Sequence, residues 1–156
     1  MLGTVVTGSD GHWSITTNNI SNAVHTFTAF GIDRAGNVGS SSLALLGSSS
    51  GDKLSSVTAG ELVVGGKGAD QLTAGTGADT FVFHAGFAKD TIFGFDVVRD
   101  ALGFDHNLFA DVAEILSHTK DVKGNAVITY DAADTVTLIG VTKAQLEAHP
   151  SDLFII

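Results

Sequence analysis

The chain has 156 residues, 44% of them apolar and 16% charged, a balance that excludes a disordered chain and gives enough length to bury a core. Its net charge of -9 disfavours nucleic acid and anionic membranes as partners and favours cations; the acid excess builds toward the C-terminus. The absence of cysteine excludes disulfides, zinc–thiolate clusters and thiol catalysis, and 19 glycines against a single proline mean that glycine turns dominate the connections.

Residues 1–46 alternate short β-type runs with turns: TVV at 4–6, HWSITT at 12–17 and VHTFTAFGID at 24–33, followed by the turn-rich exit IDRAGNVGSSS at 32–42. Threonine, valine and aromatic residues between Gly, Asn, Asp and Ser clusters predict antiparallel strands. The run DGHWSITT…VHTFTAFGIDRAGNVGSSS resembles the last strands of bacterial immunoglobulin-like repeats in surface adhesins. The resemblance covers half of such a module and implies a partial Ig-like region over 1–46, with Trp13 packed inside it. The NIS sequon at 19–21 is discounted in a chain of bacterial type.

A nine-residue clock follows. Registered on Gly65, the units are GSSSGDKLS (47–55), SVTAGELVV (56–64), GGKGADQLT (65–73) and AGTGADTFV (74–82). The sixth position is Asp52, Glu61, Asp70 and Asp79, and the eighth is Leu54, Val63, Leu72 and Phe81. About three residues make a short strand with one inward apolar side chain, and the other six make a glycine turn, so each unit is half a coil. Stacked coils form a parallel β-roll with the eighth-position residues as its thin core and the acids gathered along its edges. Stacked carboxylates repel unless a cation lies between them. Carboxylate and carbonyl oxygens are hard ligands, so the cation this pattern selects is calcium, and zinc, copper and iron fit poorly.

These units match G-G-x-G-x-D-x-U-x, and the block resembles the calcium-binding β-roll of repeats-in-toxin (RTX) proteins. The resemblance implies that successive units lie on opposite edges, so that Asp52 faces Asp70 and Glu61 faces Asp79. It also implies that main-chain carbonyls near Gly66, Gly68, Gly75 and Gly77 complete the ion shells and that Asp90, in KDTIFGF, closes the last loop on the Asp70 side. The match is fullest at Asp70 and Asp79. It weakens in the second unit, where Ala59, Gly60 and Glu61 depart from the pattern, and in the first, where serines replace glycines. Extracellular calcium modules bind with constants of about 0.1–1 mM; at about 1 mM calcium a 0.1 mM site adds roughly 1.4 kcal/mol, and two or three sites roughly 3–4 kcal/mol. Calcium would then be the staple that cysteine does not supply.

Beyond 82, ordinary patterning returns. TFVFH (80–84), DTIFGF (90–95) and DALGF (100–104) predict strands, and NAVITY (125–130) with DTVTLIG (134–140) predicts a hairpin about DAAD. Two short surface helices are expected: one from Asp111, with Glu114 in capping-box relation, and one over 143–149, with Thr142 and Gln145 in the same relation and Pro150 as its stop. The terminal DLFII (152–156) resembles the uncleaved C-terminal signal of type I secretion substrates. From GADTFVFHAGFAKDTI to DLFII the chain resembles the C-terminal domain of serralysin-like proteases and related secreted calcium-binding proteins.

Several residues are given no catalytic or ligand role as their first reading. Asp90, Asp96 and Asp100 are read first as turn or cap residues, Asp90 with the loop-closing ligand role as its alternative; the six scattered histidines are taken as surface or packing residues, and the phenylalanines as core. H-E-x-x-H does not occur, and the one run that fits G-x-S-x-G, GSSSG at 47–51, falls in the repeat block and not at a strand-to-helix elbow, which gives catalysis no support. The expected fold is all-β: a partial Ig-like region (1–46), an RTX roll (47–92) and a β-sandwich-like C-terminal cap with two helices and the secretion signal (93–156). The expected function is a non-enzymatic, Ca2+-binding C-terminal module of a secreted or surface adhesin-like protein, served by the type I secretion machinery and directed at a cell-surface or glycan target. The rival is an accessory domain of a secreted hydrolase: a metalloprotease, lipase or polysaccharide-modifying enzyme. No apolar run reaches the roughly 18 residues of a membrane span and no N-terminal signal peptide is present, so any export address lies elsewhere in the chain.

Overall fold

A computed structural model describes residues 21–29, 35, 42–57 and 60–155. The expected strands at 4–6 and 12–17, Trp13, the first two residues of the sequon and the last residue lie outside the described residues, as does most of the 32–42 exit.

The nine-residue clock becomes a coil. Five strands occur at its start: β2 (Ser42–Leu46), β3 (Lys53–Ser55), β4 (Leu62–Val64), β5 (Gln71–Thr73) and β6 (Thr80–Phe83); β7 (Lys89–Phe93) and β8 (Ala101–Phe104) continue it. Successive strands alternate between two sheets, and neighbours within each sheet are parallel: β2, β4, β6 and β8 in one, β3, β5 and β7 in the other. An antiparallel strand, β1 (His25–Ala29), borders β2.

Three-residue strands succeed because each needs to bury only its middle side chain. Leu54, Val63, Leu72 and Phe81 are all buried, the last three completely. Register stacks them in two columns: Leu54, Leu72 and Ile92 in one sheet; Val63, Phe81 and Leu102 in the other. At about 25 cal/mol per Å² of apolar surface, a single column of such residues contributes several kcal/mol, so the two columns form a real though narrow core. Both columns belong to one buried cluster that runs on into the C-terminal part.

There the filling turns aromatic. Phe83 stacks on Phe104 with ring centroids 5.1 Å apart, and Phe109 meets Phe104 edge-on at 5.3 Å. Helix α1 (Val112–Ser117) buries Ile115, and α2 (Lys143–Ala148) buries Leu146. Both helices start as the capping pattern predicts: the Asp111 side chain accepts from the Glu114 amide (2.8 Å), and the Gln145 side chain accepts from the Thr142 amide (2.9 Å). The C-terminal strands β9 (Thr119–Val122), β10 (Asn125–Thr129) and β11 (Thr135–Leu138) form an antiparallel meander, and β11 then pairs parallel with β7.

The sandwich-like cap expected from the sequence is not seen as a unit of its own. Its strands lengthen the two sheets of the roll, because Leu138 and Leu153 add to the same two columns beside Ile92 and Leu102. The terminal DLFII, read as an export address, contains β12 (Leu153–Ile155), which pairs parallel with β8 and buries Leu153. Strand β2 was missed in sequence because SLALL offers no alternation; it lies in the roll's own sheet, parallel to β4. The sheets therefore cross both 46/47 and 92/93 without a break.

Candidate metal centre along the edges of the roll

The acid of each unit precedes its strand, so the coil delivers the acids to two edges in turn. Asp52, Asp70 and Asp90 line the first edge; Glu61, Asp79 and Asp100 line the second. Asp70, Asp90, Glu61, Asp79 and Asp100 are each no more than 1% exposed. Buried carboxylates at this density demand partners.

Part of the demand is met by the coil itself. On the first edge the Asp52 amide donates to Asp70 Oδ1 (2.7 Å) and the Asp70 amide to Asp90 Oδ1 (2.9 Å). On the second, the Glu61 amide donates to Asp79 Oδ1 (3.0 Å) and the Asp79 amide to Asp100 Oδ1 (3.0 Å). A strand bond lies beside each contact: Gln71 N to Asp52 O, Thr91 N to Asp70 O, Thr80 N to Glu61 O and Ala101 N to Asp79 O. Each acid is thus tied twice to the coil below it.

The structure brings Asp52 beside Asp70 and Glu61 beside Asp79, adds Asp90 to the first column, and adds Asp100 to the second. Asp100 was read in sequence as a turn or cap residue. Its signal was present, since Asp100 stands two places before the core residue Leu102 just as Asp79 stands before Phe81, but the 21-residue step from Asp79 hid it from a strict nine-residue count.

The second carboxylate oxygen separates Asp70 and Asp90 from the other four acids. Four acids close it with the amide four residues back: Ser48 N to Asp52 Oδ2 (2.6 Å), Val57 N to Glu61 Oε2 (2.7 Å), Gly75 N to Asp79 Oδ2 (2.9 Å) and Asp96 N to Asp100 Oδ2 (2.8 Å). Asp70 Oδ2 and Asp90 Oδ2 accept no hydrogen bond and are shut off from solvent. The amide that would serve Asp90, Gly86 N, donates instead to Asp134 Oδ2 (3.2 Å), whose Oδ1 takes the Ala88 amide (2.8 Å).

Burial, only partly offset by the hydrogen bond from the Asp52 amide, raises the Asp70 pKa to about 6, and the Asp52 charge adds to the rise. Burial raises Asp90 to about 8, with the charges of Asp70 and Asp134 adding. Asp100 is also raised, first by burial, although two amides oppose the shift. An unpaired buried polar atom costs about 1–3 kcal/mol, and more when charged, so Asp70 and Asp90 fit a bound hard cation far better than empty space.

The loops leave room for close main-chain approach. Gly66 and Gly68 both have positive φ (94° and 111°), and a Cβ on either would collide with the Ser48 or Ser50 backbone of the stacked loop. Gly75 and Gly77 lie half-buried in the 74–79 loop. Among the described residues, no three acidic or imidazole side chains converge on one point. A cation here would draw on paired carboxylates plus carbonyls, a set suited to calcium and unsuited to zinc.

Two of the described histidines bond away from this arrangement. His84 Nδ1 pairs with Asp105 (2.8 Å), and His118 Nδ1 contacts the Thr129 carbonyl (2.9 Å). Among the described residues, no helix is long and apolar enough to cross a membrane.

No family model and no curated protein matches the sequence. Among the solved structures similar in fold are a lipase and an epimerase subunit. The extracellular lipase LipA from Serratia marcescens superposes over 70% of this chain with a TM-score of 0.52 and 23% identity. The AlgE6R3 subunit from the Azotobacter vinelandii mannuronan C5-epimerase superposes over 70% of this chain and 76% of its own, with a TM-score of 0.50 and 23% identity. The chain spans only 20% of the lipase's length. Likeness at this identity concerns architecture, and it agrees with the mostly β, parallel-stranded roll that the register defines.

Proposed function

We propose that this chain is a non-enzymatic, RTX-type β-roll module of a secreted protein, folded by calcium outside the cell. The observation that carries the reading is the pair of buried, donorless oxygens, Asp70 Oδ2 and Asp90 Oδ2, on one edge of the roll. Asp52, Asp70 and Asp90 would hold the ions together with carbonyls of the 47–52 and 65–70 loops. Glu61 and Asp79, with carbonyls near Gly75 and Gly77, are the corresponding residues of the second edge, where Glu61 Oε2 and both Asp79 oxygens already accept hydrogen bonds.

When bound, the ion supplies positive charge that cancels the repulsion between stacked carboxylates. The chain's own residues do the rest. Glycines let the loops stack closely, the amides of Asp52 and Asp70 hold one oxygen of the next acid, and the second oxygen stays bare for the cation. At cytosolic calcium the two bare oxygens oppose folding; at about 1 mM calcium two sites supply about 3 kcal/mol.

The fold likeness to an extracellular lipase supports, as a second reading, an accessory module of a secreted hydrolase as much as it supports an adhesin end-piece. Both readings keep the calcium-folding role and a place at the cell exterior with type I export.

The test is a calcium titration followed by circular dichroism and urea unfolding, repeated on Asp70→Ala. The parent should gain β-signal and about 3 kcal/mol; the variant, which removes the acid common to both contacts of the first edge, should lose most of that gain. An identical calcium response in the two proteins would overturn the reading.

A further inference from the structure

The two edges are built from the same repeat yet are closed differently, and the second edge holds a cation of its own. Its loops 74–79 and 96–100 are successive on that edge, joined through Asp79 N and Asp100 Oδ1 (3.0 Å). Arg99 lies in the later loop. Its Nε and Nη2 hold Asp96 Oδ2 at 2.8 and 2.6 Å, and its Nη1 reaches across to donate to the Thr76 carbonyl at 3.1 Å. The guanidinium therefore contacts one carboxylate and one glycine-loop carbonyl from two stacked turns, the ligand types that calcium would take.

The rest of that edge needs no ion either. Ser56 Oγ stands within hydrogen-bond reach of both Glu61 Oε2 and Asp79 Oδ1. Asp79 and Asp100 each have an amide on both oxygens. On the first edge the matching unit positions are Gly47 and Gly65, with no side chain to play the part of Ser56, and the described residues place no arginine or lysine side chain on Asp70 or Asp90.

We infer that Arg99 is a tethered cation: it ties loops 74–79 and 96–100 of the second edge together as a bound calcium would, so this edge assembles without metal and calcium-dependent folding is confined to the Asp52, Asp70 and Asp90 edge. This rests on the calcium reading above and specifies where that reading applies. A permanently charged guanidinium keeps one side of the roll in place at low calcium, leaving the other as the part that responds.

Arg99→Gln and Arg99→Lys test this on the full chain, by thermal unfolding in calcium-free buffer and in about 1 mM calcium and by counting bound calcium with equilibrium dialysis. Without calcium, Arg99→Gln should lower the midpoint by roughly 3 °C, and Arg99→Lys by less, since it retains the charge. With calcium the Arg99→Gln deficit should vanish, and this variant should bind an additional ion per chain. A deficit that is the same with and without calcium, no deficit at all, or an unchanged ion count would overturn the inference while leaving calcium binding by the parent in force. A parent chain that neither binds calcium nor shifts its midpoint would instead overturn the underlying calcium reading, and this inference with it.

Discussion

The first and second edges of this roll start from one repeat and end in opposite electrostatic conditions. On the second, the amide four residues back, the Ser56 hydroxyl and the amide of the previous acid close the carboxylate oxygens of Asp79, and main-chain amides close both oxygens of Asp100. On the first, Asp70 and Asp90 keep one amide apiece and one bare oxygen. A periodic sequence therefore need not give periodic chemistry: an acid is satisfied from within where the amide four residues back turns onto its second oxygen, and is left with a bare oxygen where it does not.

The largest expected effect comes from interfering with that difference at the first position of a unit. A methyl group added at Gly65 would run into the Asp70 carboxylate, whereas Ala74, its counterpart on the second edge, already carries one. Gly65→Ala should cost about 2 kcal/mol through overpacking and should also abolish most of the calcium-dependent gain, because Asp70 must move. Ala74→Gly should cost under about 1 kcal/mol and leave the calcium response as it was. Paired urea unfolding curves, with and without calcium, measure both; equal calcium gains in parent and Gly65→Ala would break the contrast between the edges.

A smaller effect follows from protonation. Folding raises Asp70 to about 6 and Asp90 to about 8 from an ordinary value of 3.8, so the metal-free native state binds more protons than the unfolded chain across that interval. The contribution of these two acids to metal-free stability is therefore fullest below the ordinary carboxylate pKa and is lost as pH rises toward about 8. Calcium competes with those protons, so its affinity should climb over the same window. Thermal midpoints across this pH range should drop by several degrees without calcium and stay nearly level with it. In Asp70→Asn, whose amide neither titrates nor carries charge, the metal-free slope should flatten. A metal-free midpoint that rises with pH would contradict the burial of these two acids.

How far the residues alone revealed this depends on which interaction each one serves. The core columns were legible because burying one side chain in a three-residue strand forces Leu54, Val63, Leu72 and Phe81 into fixed phase. The helix starts at Asp111 and Thr142 were legible because capping is local. Asp90 was suggested through the resemblance to RTX rolls and Asp100 was not suggested at all, because the insertions between 83 and 100 break the count while the sheets keep the register. The docking of Leu153 beside Leu102 and of β11 beside β7 is long-range pairing that no local pattern carries. The difference between the edges was equally hidden, since it depends on where the Gly86 amide turns and what Arg99 can reach, both set by the stacking of distant loops.

The mildest perturbation sharpens the comparison most, because it removes one donor from the closed edge without touching charge or backbone. Ser56→Ala leaves Glu61 Oε2 with the Val57 amide and Asp79 Oδ1 with the Glu61 amide, so each oxygen that loses the hydroxyl keeps a partner. Loss of one buried hydrogen bond should then cost about 1 kcal/mol, by the same amount with and without calcium, as read from urea midpoints. If the cost instead appeared only without calcium, the hydroxyl would be standing in for an ion between Glu61 and Asp79. The second edge would then share the ion dependence of the first, and the asymmetry would narrow to the loops that Arg99 joins.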